Sequence, residues 1–277
     1  MFNLVKIHKS KLKNVLFHLL VLSSVGIFMI PFIGMVYISL KPPKEIFTST
    51  IGKLTLENYF YVFQQSNFGK YYLNSLIASG GAVLLSLILG LPAAYVLTRF
   101  NFKCKGIIEY LFLVSRLIPA LTIIIPLFIM FRFLNFQDTY QGMIVAYTQL
   151  IVGFLIWMLR EFFRNIPKEI EEAAMIDGCS RLDVFLKINI PLASTGIAAA
   201  SILAFTFCWN DFIFALILTS ANAKTATVAI FNYMQFEEIQ WGPLMAAGIC
   251  ITLPIIIFSI MLQKYIIMGL TWGAVKG

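Results

Sequence analysis

Apolar side chains dominate this chain for about twenty residues at a time, separated by short polar stretches. Six such runs are read at Val15–Leu40, Tyr71–Leu97, Ile107–Phe133, Gln141–Leu159, Thr195–Thr219 and Leu244–Gln263. Roughly 20 apolar residues is the length that crosses a bilayer core as a helix. Helices are the default because lipid offers backbone N–H and C=O groups no partners. A β-barrel would show short segments alternating polar with apolar, and the chain has none. The expectation is an all-α membrane protein with six transmembrane helices. Pro92, Pro119, Pro126 and Pro254 fall inside the runs and are read as kinks.

One stretch breaks the pattern. From Arg160 to Lys187 there are eleven charged side chains. Pro167 suits a first helical turn, where its missing N–H costs nothing. Glu169, Glu171 and Glu172 follow near that helix N-terminus, where the dipole favours them. Ile170, Ala173, Ala174 and Asp177 share one side at i, i+3, i+4 and i+7. Gly178 fits a C′ position that needs positive φ. Ser180 with Asp183 resembles a capping box opening a second short helix, to which Leu182, Phe185 and Leu186 give an apolar stripe. Pro191 opens the entry to the fifth run. Such a pair of helices could rest on lipid headgroups or enter a groove on another protein. The two Ala beside Glu172 suit the groove, since lipid-resting faces favour Leu, Phe and Trp; the stripe alone suits either.

Charge orients the runs. The net charge is +8, the mean hydropathy +0.86, and only 12% of residues are charged, against about 25% in soluble domains. With a cytoplasmic N-terminus, fourteen Lys and Arg fall inside and five outside (Lys41, Lys44, Lys53, Lys70 and Lys224), while Arg116 and Arg132 lie in or at the end of the third run. This is the positive-inside pattern, and six spans put both termini in the cytoplasm. The basic balance is therefore a topology signal, and nucleic acid is not an expected partner. The first run is too long for a signal peptide and lacks a small-residue cleavage site before Lys41, so it reads as a retained anchor. Cys104, Cys179, Cys208 and Cys250 form no C-x-x-C pair, and only His8 and His18 supply imidazoles. No metal site, disulfide framework, phosphate-cradling loop or nucleophile–base group is expected.

Glu172-Ala173-Ala174, then Gly178, Ile188 and Ile190-Pro191, resembles the EAA loop of bacterial ABC importer permeases, with Ile190 where that pattern has Leu. Trp209–Leu218 (WNDFIFALIL), Phe162–Gly178 (FFRNIPKEIEEAAMIDG) and Gly269–Gly277 (GLTWGAVKG) are similar to the carbohydrate-uptake branch, the maltose-permease second-subunit type. The resemblance covers about residues 71–277. It implies a segment 1–70 holding the first span and an external loop, a permease core 71–265 with its EAA loop at 160–193, and a cytoplasmic tail 266–277. It also implies a bacterial inner-membrane subunit that is not an enzyme and holds no cofactor, ATP and Mg being bound on partner ATPases. The implied partners are a homologous second permease, two cytoplasmic ATPase subunits, an extracytoplasmic binding protein and a sugar. Glu171, Glu172, Ala173, Ala174, Asp177, Gly178, Ile188 and Pro191 would form the coupling helix and its frame, and Gly273, Ala274, Val275, Lys276 and Gly277 a second ATPase contact. Asn232, Phe236, Glu237 and Glu238, in the apolar external segment Ser220–Gly242, are candidates for touching the binding protein.

Polar interruptions of the runs are candidates for the substrate path: Asn74, Tyr147, Gln149, Trp209, Asn210 and Asp211. The alternative is that they join helices by hydrogen bonds. A secondary transporter would use mid-membrane ionisable groups such as Asp211, Glu109 or Arg116. It would show an inverted repeat and no docking loop, contrary to this chain. An intramembrane enzyme would need a metal or nucleophile cluster.

Overall fold

The computed structural model describes the backbone of residues 2–48, 52–115, 118–235 and 239–274, and the side chains of 16–48, 52–112, 114, 118–235 and 239–263. The order of elements is α1 (Phe2–Ser39), α2 (Glu57–Phe60) with a π-helical turn Tyr61–Gln65, α3 (Phe68–Arg99), α4 (Lys105–Ser115), α5 (Ala120–Phe133) and α6 (Tyr140–Arg164). Then follow α7 (Lys168–Ile176), α8 (Arg181–Asp183), a π-helical turn Val184–Asn189, α9 (Ile190–Leu192), α10 (Ser194–Trp209), α11 (Ile213–Leu218), α12 (Ala226–Ala229) and α13 (Trp241–Ala274). No β-strand occurs among the described residues; Met234 and Ile239 form one isolated bridge.

The apolar runs become helices, but two of the six are interrupted. The third splits into α4 and α5. Pro119 stands before α5 as its N-cap, with φ −59° and ψ 136°, where its missing N–H costs no helical bond. The fifth splits into α10 and α11 at Asn210–Phe212, where Asn and Asp offer the backbone side-chain alternatives to helical bonds. Pro92, Pro126 and Pro254 lie inside helices instead of ending them. Four helices are long and apolar enough to cross a membrane singly: Leu16–Ser39, Phe68–Arg99, Tyr140–Arg164 and Trp241–Gln263. A fifth span results if Arg181–Leu192 and Ser194–Trp209, bent by 72°, are taken together. The tail expected from residue 266 is helical through Ala274, an unbroken continuation of α13.

Contacts divide the chain into two units, Met1–Ser66 with Asn232–Cys250, and Asn67–Phe231 with Ile251–Gly277. In the first, Leu16–Ser39 of α1 presents apolar side chains all round and its apolar window is unburied, the pattern lipid selects. Its end is tied by Lys41, a buried ammonium that donates to the carbonyls of Thr48 (2.7 Å) and Glu45 (3.3 Å) and lies over the Tyr37 ring. Asn58, also buried, donates to the carbonyls of Ser39 and Lys41.

The second unit is built on α3 against α6, its most extensive helix pair. Ala78, Ala82, Ser86, Gly90 and Ala94 recur every fourth residue along α3, and all are buried. Without a hydrophobic force between helices in lipid, such small residues let two backbones approach for dispersion contact. The large partners come from α6: Met143, Tyr147, Ile151, Leu155, Ile156 and Leu159. At Gly90 an added Cβ would sit 3.5 Å from Ile156 Cγ1, ordinary contact. At Gly196 of α10 it would overlap the Phe162 ring of α6.

One end of this unit is closed by polar bonds. The Asp138 carboxylate, between α5 and α6, accepts backbone N–H bonds from Ser220, Ala221, Asn222 and Ala223 at 2.9–3.1 Å and the Ser220 hydroxyl at 2.9 Å. Asn74 donates to the carbonyls of Asn222 and Lys224, and the Ser75 hydroxyl accepts from Ala226 N–H. Burial pushes the Asp138 carboxyl up, but the amides of Ser220, Ala223, Asn222 and Ala221 outweigh it and hold it well below the usual carboxylate range.

Two outcomes test this packing. Asp138→Asn should destabilise the purified protein by about 1 kcal/mol, from weakening charge-assisted hydrogen bonds to a partly solvated loop. A depressed carboxyl stabilises above its unfolded pKa of about 4 and loses that contribution as pH falls through the folded value; the gap in Tm between wild type and variant should therefore narrow only below about pH 4. Gly90→Ala should change Tm little, whereas Gly196→Leu should cost about 1–3 kcal/mol by overpacking, read by thermal unfolding in detergent.

Candidate functional site

The polar stretch folds as two short helices at the end of the bundle where α3 finishes. Pro167 precedes α7 with φ −57° and ψ 136°. Gly178 takes φ +92°, the left-handed conformation its position required and one that costs a Cβ-bearing residue roughly 1–2 kcal/mol. The turn closes with Gly178 N–H donating to Met175 and Cys179 N–H to Ala174. Ser180 then caps α8 reciprocally with Asp183. Hydrogen bonds from Lys187 and Ser180 hold the exposed Asp183 carboxyl down at about 2, and the same contact raises Lys187. Solvent screens such an exposed pair, so it shapes the turn and adds little to stability.

The residues of α7 sort into two sides. Glu172, Ala173, Asp177 and Gly178 are exposed and Ala174 half-buried. Ile176 is 86% exposed, Leu182 66%, and Ile170 and Met175 are also uncovered. An apolar patch of this kind, outside the long apolar helices, marks a contact surface. Glu171 instead turns inward. Its Oε1 lies 2.5 Å from Arg99 Nε, with both side chains 8% exposed. Tyr95 donates its hydroxyl to Glu171 Oε2 at 3.1 Å, and Arg99 Nη2 donates to the Ile166 carbonyl at 2.8 Å. Ile188 is half-buried and Pro191 exposed. Between them Asn189 is buried and donates to the Val184 carbonyl.

The polar residues of the apolar runs converge only in part: Tyr147 and Asp211 face one another, while the others lie apart from them or are turned to other partners. Trp209 is 2% exposed, donates to the Ile251 carbonyl at 2.9 Å and stacks on Phe205. Asn74 spends its amide on the loop carbonyls and accepts from Tyr140. Tyr147 is 1% exposed in the α3–α6 core. Asp211 accepts from the Ala215 N–H at the start of α11, and Asn210 donates back to the Thr206 carbonyl. Gln149 is exposed on a cavity of about 380 Å³ beside Phe154, Phe207 and Phe214. Sequence reasoning gave Arg99 only a topological role and passed over Tyr95 and these three Phe. The four-residue spacing of Tyr95 and Arg99, which puts both on one helix face, was the signal available.

Asn232 is exposed. Phe236, Glu237, Glu238, Val275, Lys276 and Gly277 lie outside the described residues; Gly273 and Ala274 end α13. Among the described residues no group of three or more His, Cys, Asp or Glu could hold a metal ion.

Comparison with known proteins fits this geometry. Residues 82–271 match the family described as binding-protein-dependent transport system inner membrane component. The trehalose transport system permease protein SugB of Mycobacterium tuberculosis is 38% identical over 91% of this chain and 94% of its own length. The trehalose/maltose transport system permease protein MalG of Thermococcus litoralis is 34% identical over 89% and 91%. A solved chain from a bacterial ABC transporter involved in import of alginate shares the fold, with a TM-score of 0.77 at 23% identity, over 90% of this chain and 96% of that one. The chain thus belongs to the family of inner-membrane permease components of binding-protein-dependent ABC transport systems, and it is a transport subunit of that membrane, not an enzyme.

Proposed function

We propose that this chain is one of two permeases of an ATP-driven sugar importer, coupled to cytoplasmic ATPase subunits through residues 160–193. The observation that carries this reading is the division of α7. One side is fixed to the bundle through Glu171, while small and apolar residues around Ile176 stand clear of it. A helix that merely rested on lipid would have no need of Ala173, Ala174 and a positive-φ Gly178. Relatives named for trehalose, maltose and diacetylchitobiose support a sugar substrate.

In this reading α4 with α5, and α10 with α11, are the third and fifth of six passes. Each pair supplies about the 20 residues a crossing needs. The Lys and Arg distribution then places α7 and both termini in the cytoplasm. Sugar passes along the cavity beside Gln149, Phe154 and Phe207, with Asn210 and Asp211 at the break near it. Asn74 and Trp209 hold the wall, since their polar groups are spent on backbone carbonyls, and Tyr147 packs its ring in the core with its hydroxyl towards Asp211. The segment 220–242, through Asn232, Phe236, Glu237 and Glu238, meets the binding protein outside. Gly273–Gly277, carried on the long α13, reaches the ATPase pair.

An added Cβ at Gly178 meets nothing within 4 Å in this chain. Damage from Gly178→Val must therefore come from its backbone or from a docked partner. Gly178→Val and Glu172→Lys should insert normally yet lower sugar uptake and binding-protein-stimulated ATP hydrolysis at least fivefold. Gly178→Asn, which tolerates positive φ better, should retain more. Co-purification with an ATPase and uptake insensitive to a protonophore are expected of wild type; wild-type transport by both damaging variants would refute the coupling role. Cysteines at Asn232 and Glu237 should crosslink the binding protein, more strongly with ATP bound; crosslinks confined to residues 41–70 would contradict that contact.

A further inference from the structure

Resting on that reading, we propose that Glu171, Arg99 and Tyr95 form the joint through which movement of α7 is passed to α3, and so to the α3–α6 core. Glu171 is the buried residue of α7. The rest of that helix packs mainly on the following π-helical turn and leaves its apolar residues uncovered. Its firm hold on a long helix is the ion pair to Arg99, the last residue of α3.

The chemistry suits a joint. A buried carboxylate cannot be left without its counter-charge, so separating the two ends exposes or strands an ion. α7 and the end of α3 must then move together. The guanidinium is forked, and Arg99 uses a second nitrogen on the Ile166 carbonyl, just before α7. Both the helix and the chain leading into it are therefore gripped by one side chain. Tyr95, one turn earlier on α3, takes the other carboxylate oxygen and fixes the orientation of Glu171. Its ring is held edge-on by Phe100 and Phe163 and packs on Phe185 at 5.0 Å. Arg181 of α8 lies over Phe100 at 5.1 Å, so the second short helix is seated on the same aromatic group. Hydrogen bonds to a charge allow small rotations without parting, whereas an apolar seat of this size would slide. Glu171 is thus a positioning residue that faces its own bundle, distinct from the neighbouring Glu172, which faces outward.

The test uses the whole assembly in proteoliposomes: this chain with its partner permease, ATPases and binding protein, supplied with trehalose and maltose. The readout is the ratio of ATP hydrolysis with and without binding protein, corrected for the amount of assembled complex. Glu171→Gln and Arg99→Gln should each lower this ratio at least fivefold, and the double variant should lose no more than either alone. Arg99→Lys, which keeps charge but not the fork, should fall between. Tyr95→Phe keeps the ring packing and should lower the ratio about twofold. A residue that served only assembly would reduce the yield of complex and leave the ratio of what remains unchanged; that result overturns the joint. If Glu171→Gln does not assemble, Tyr95→Phe decides, and a wild-type ratio there overturns it equally. A wild-type complex whose hydrolysis the binding protein fails to stimulate refutes the coupling reading and the joint together. A stimulated wild type with unchanged variants refutes the joint alone.

Discussion

The close approach of α3 and α6 is the contact from which the larger unit is built. Lipid tails are as apolar as Leu, so burying apolar surface between these helices gains little, and dispersion contact at short range must hold them. Small residues at every fourth position of α3 make that range possible, and α6 supplies the bulk that fills it. α10 packs on the same pair, with Gly196 leaving room for Phe162. Polar ties appear where the packing ends. Asp138 and Asn74 fasten the loop 218–226 at one end of α3, and Arg99 with Glu171 fastens α7 at the other.

This arrangement explains how a polar helix can belong to an apolar protein. The helices of the unit can move only as neighbours permit, since a packed interface has discrete arrangements instead of continuous give. A segment outside the packing, connected to it by charge, can move without first breaking a core. α7 has that character: its uncovered apolar side faces away and its single buried carboxylate faces in. The opposite end is unlike it. There the Asp138 carboxylate satisfies four consecutive amides, which leaves the loop few unmade bonds and few alternative conformations.

Where sequence and structure part, local chemistry had signalled the place without specifying the outcome. Pro119 and Pro92 both sit in apolar runs. Pro119 stands at the start of a helix, whereas Pro92 is accommodated within α3. Whether a proline stays inside a helix depends on the packing around it, and that is a tertiary property. Asn210 and Asp211 were legible as unusual and became a helix break. Trp209 beside them became an interhelical tether because the Ile251 carbonyl lies within reach of its indole. No spacing along one chain can reveal a partner 42 residues away.

What the sequence by itself determined is what depends on near neighbours and on solvent: long apolar helices, the α7–turn–α8 unit, the positive φ at Gly178 and the Ser180 cap. Each follows from backbone sterics, hydrogen bonding within a few residues, or the absence of water in lipid. The tertiary structure alone decided that Glu171 faces Arg99 while Glu172 faces out, and that Asn74 and Trp209 bind backbone. Adjacent glutamates on one helix carry identical chemistry. About 100° of rotation separates them, and which of the two is buried is set by where a second helix ends.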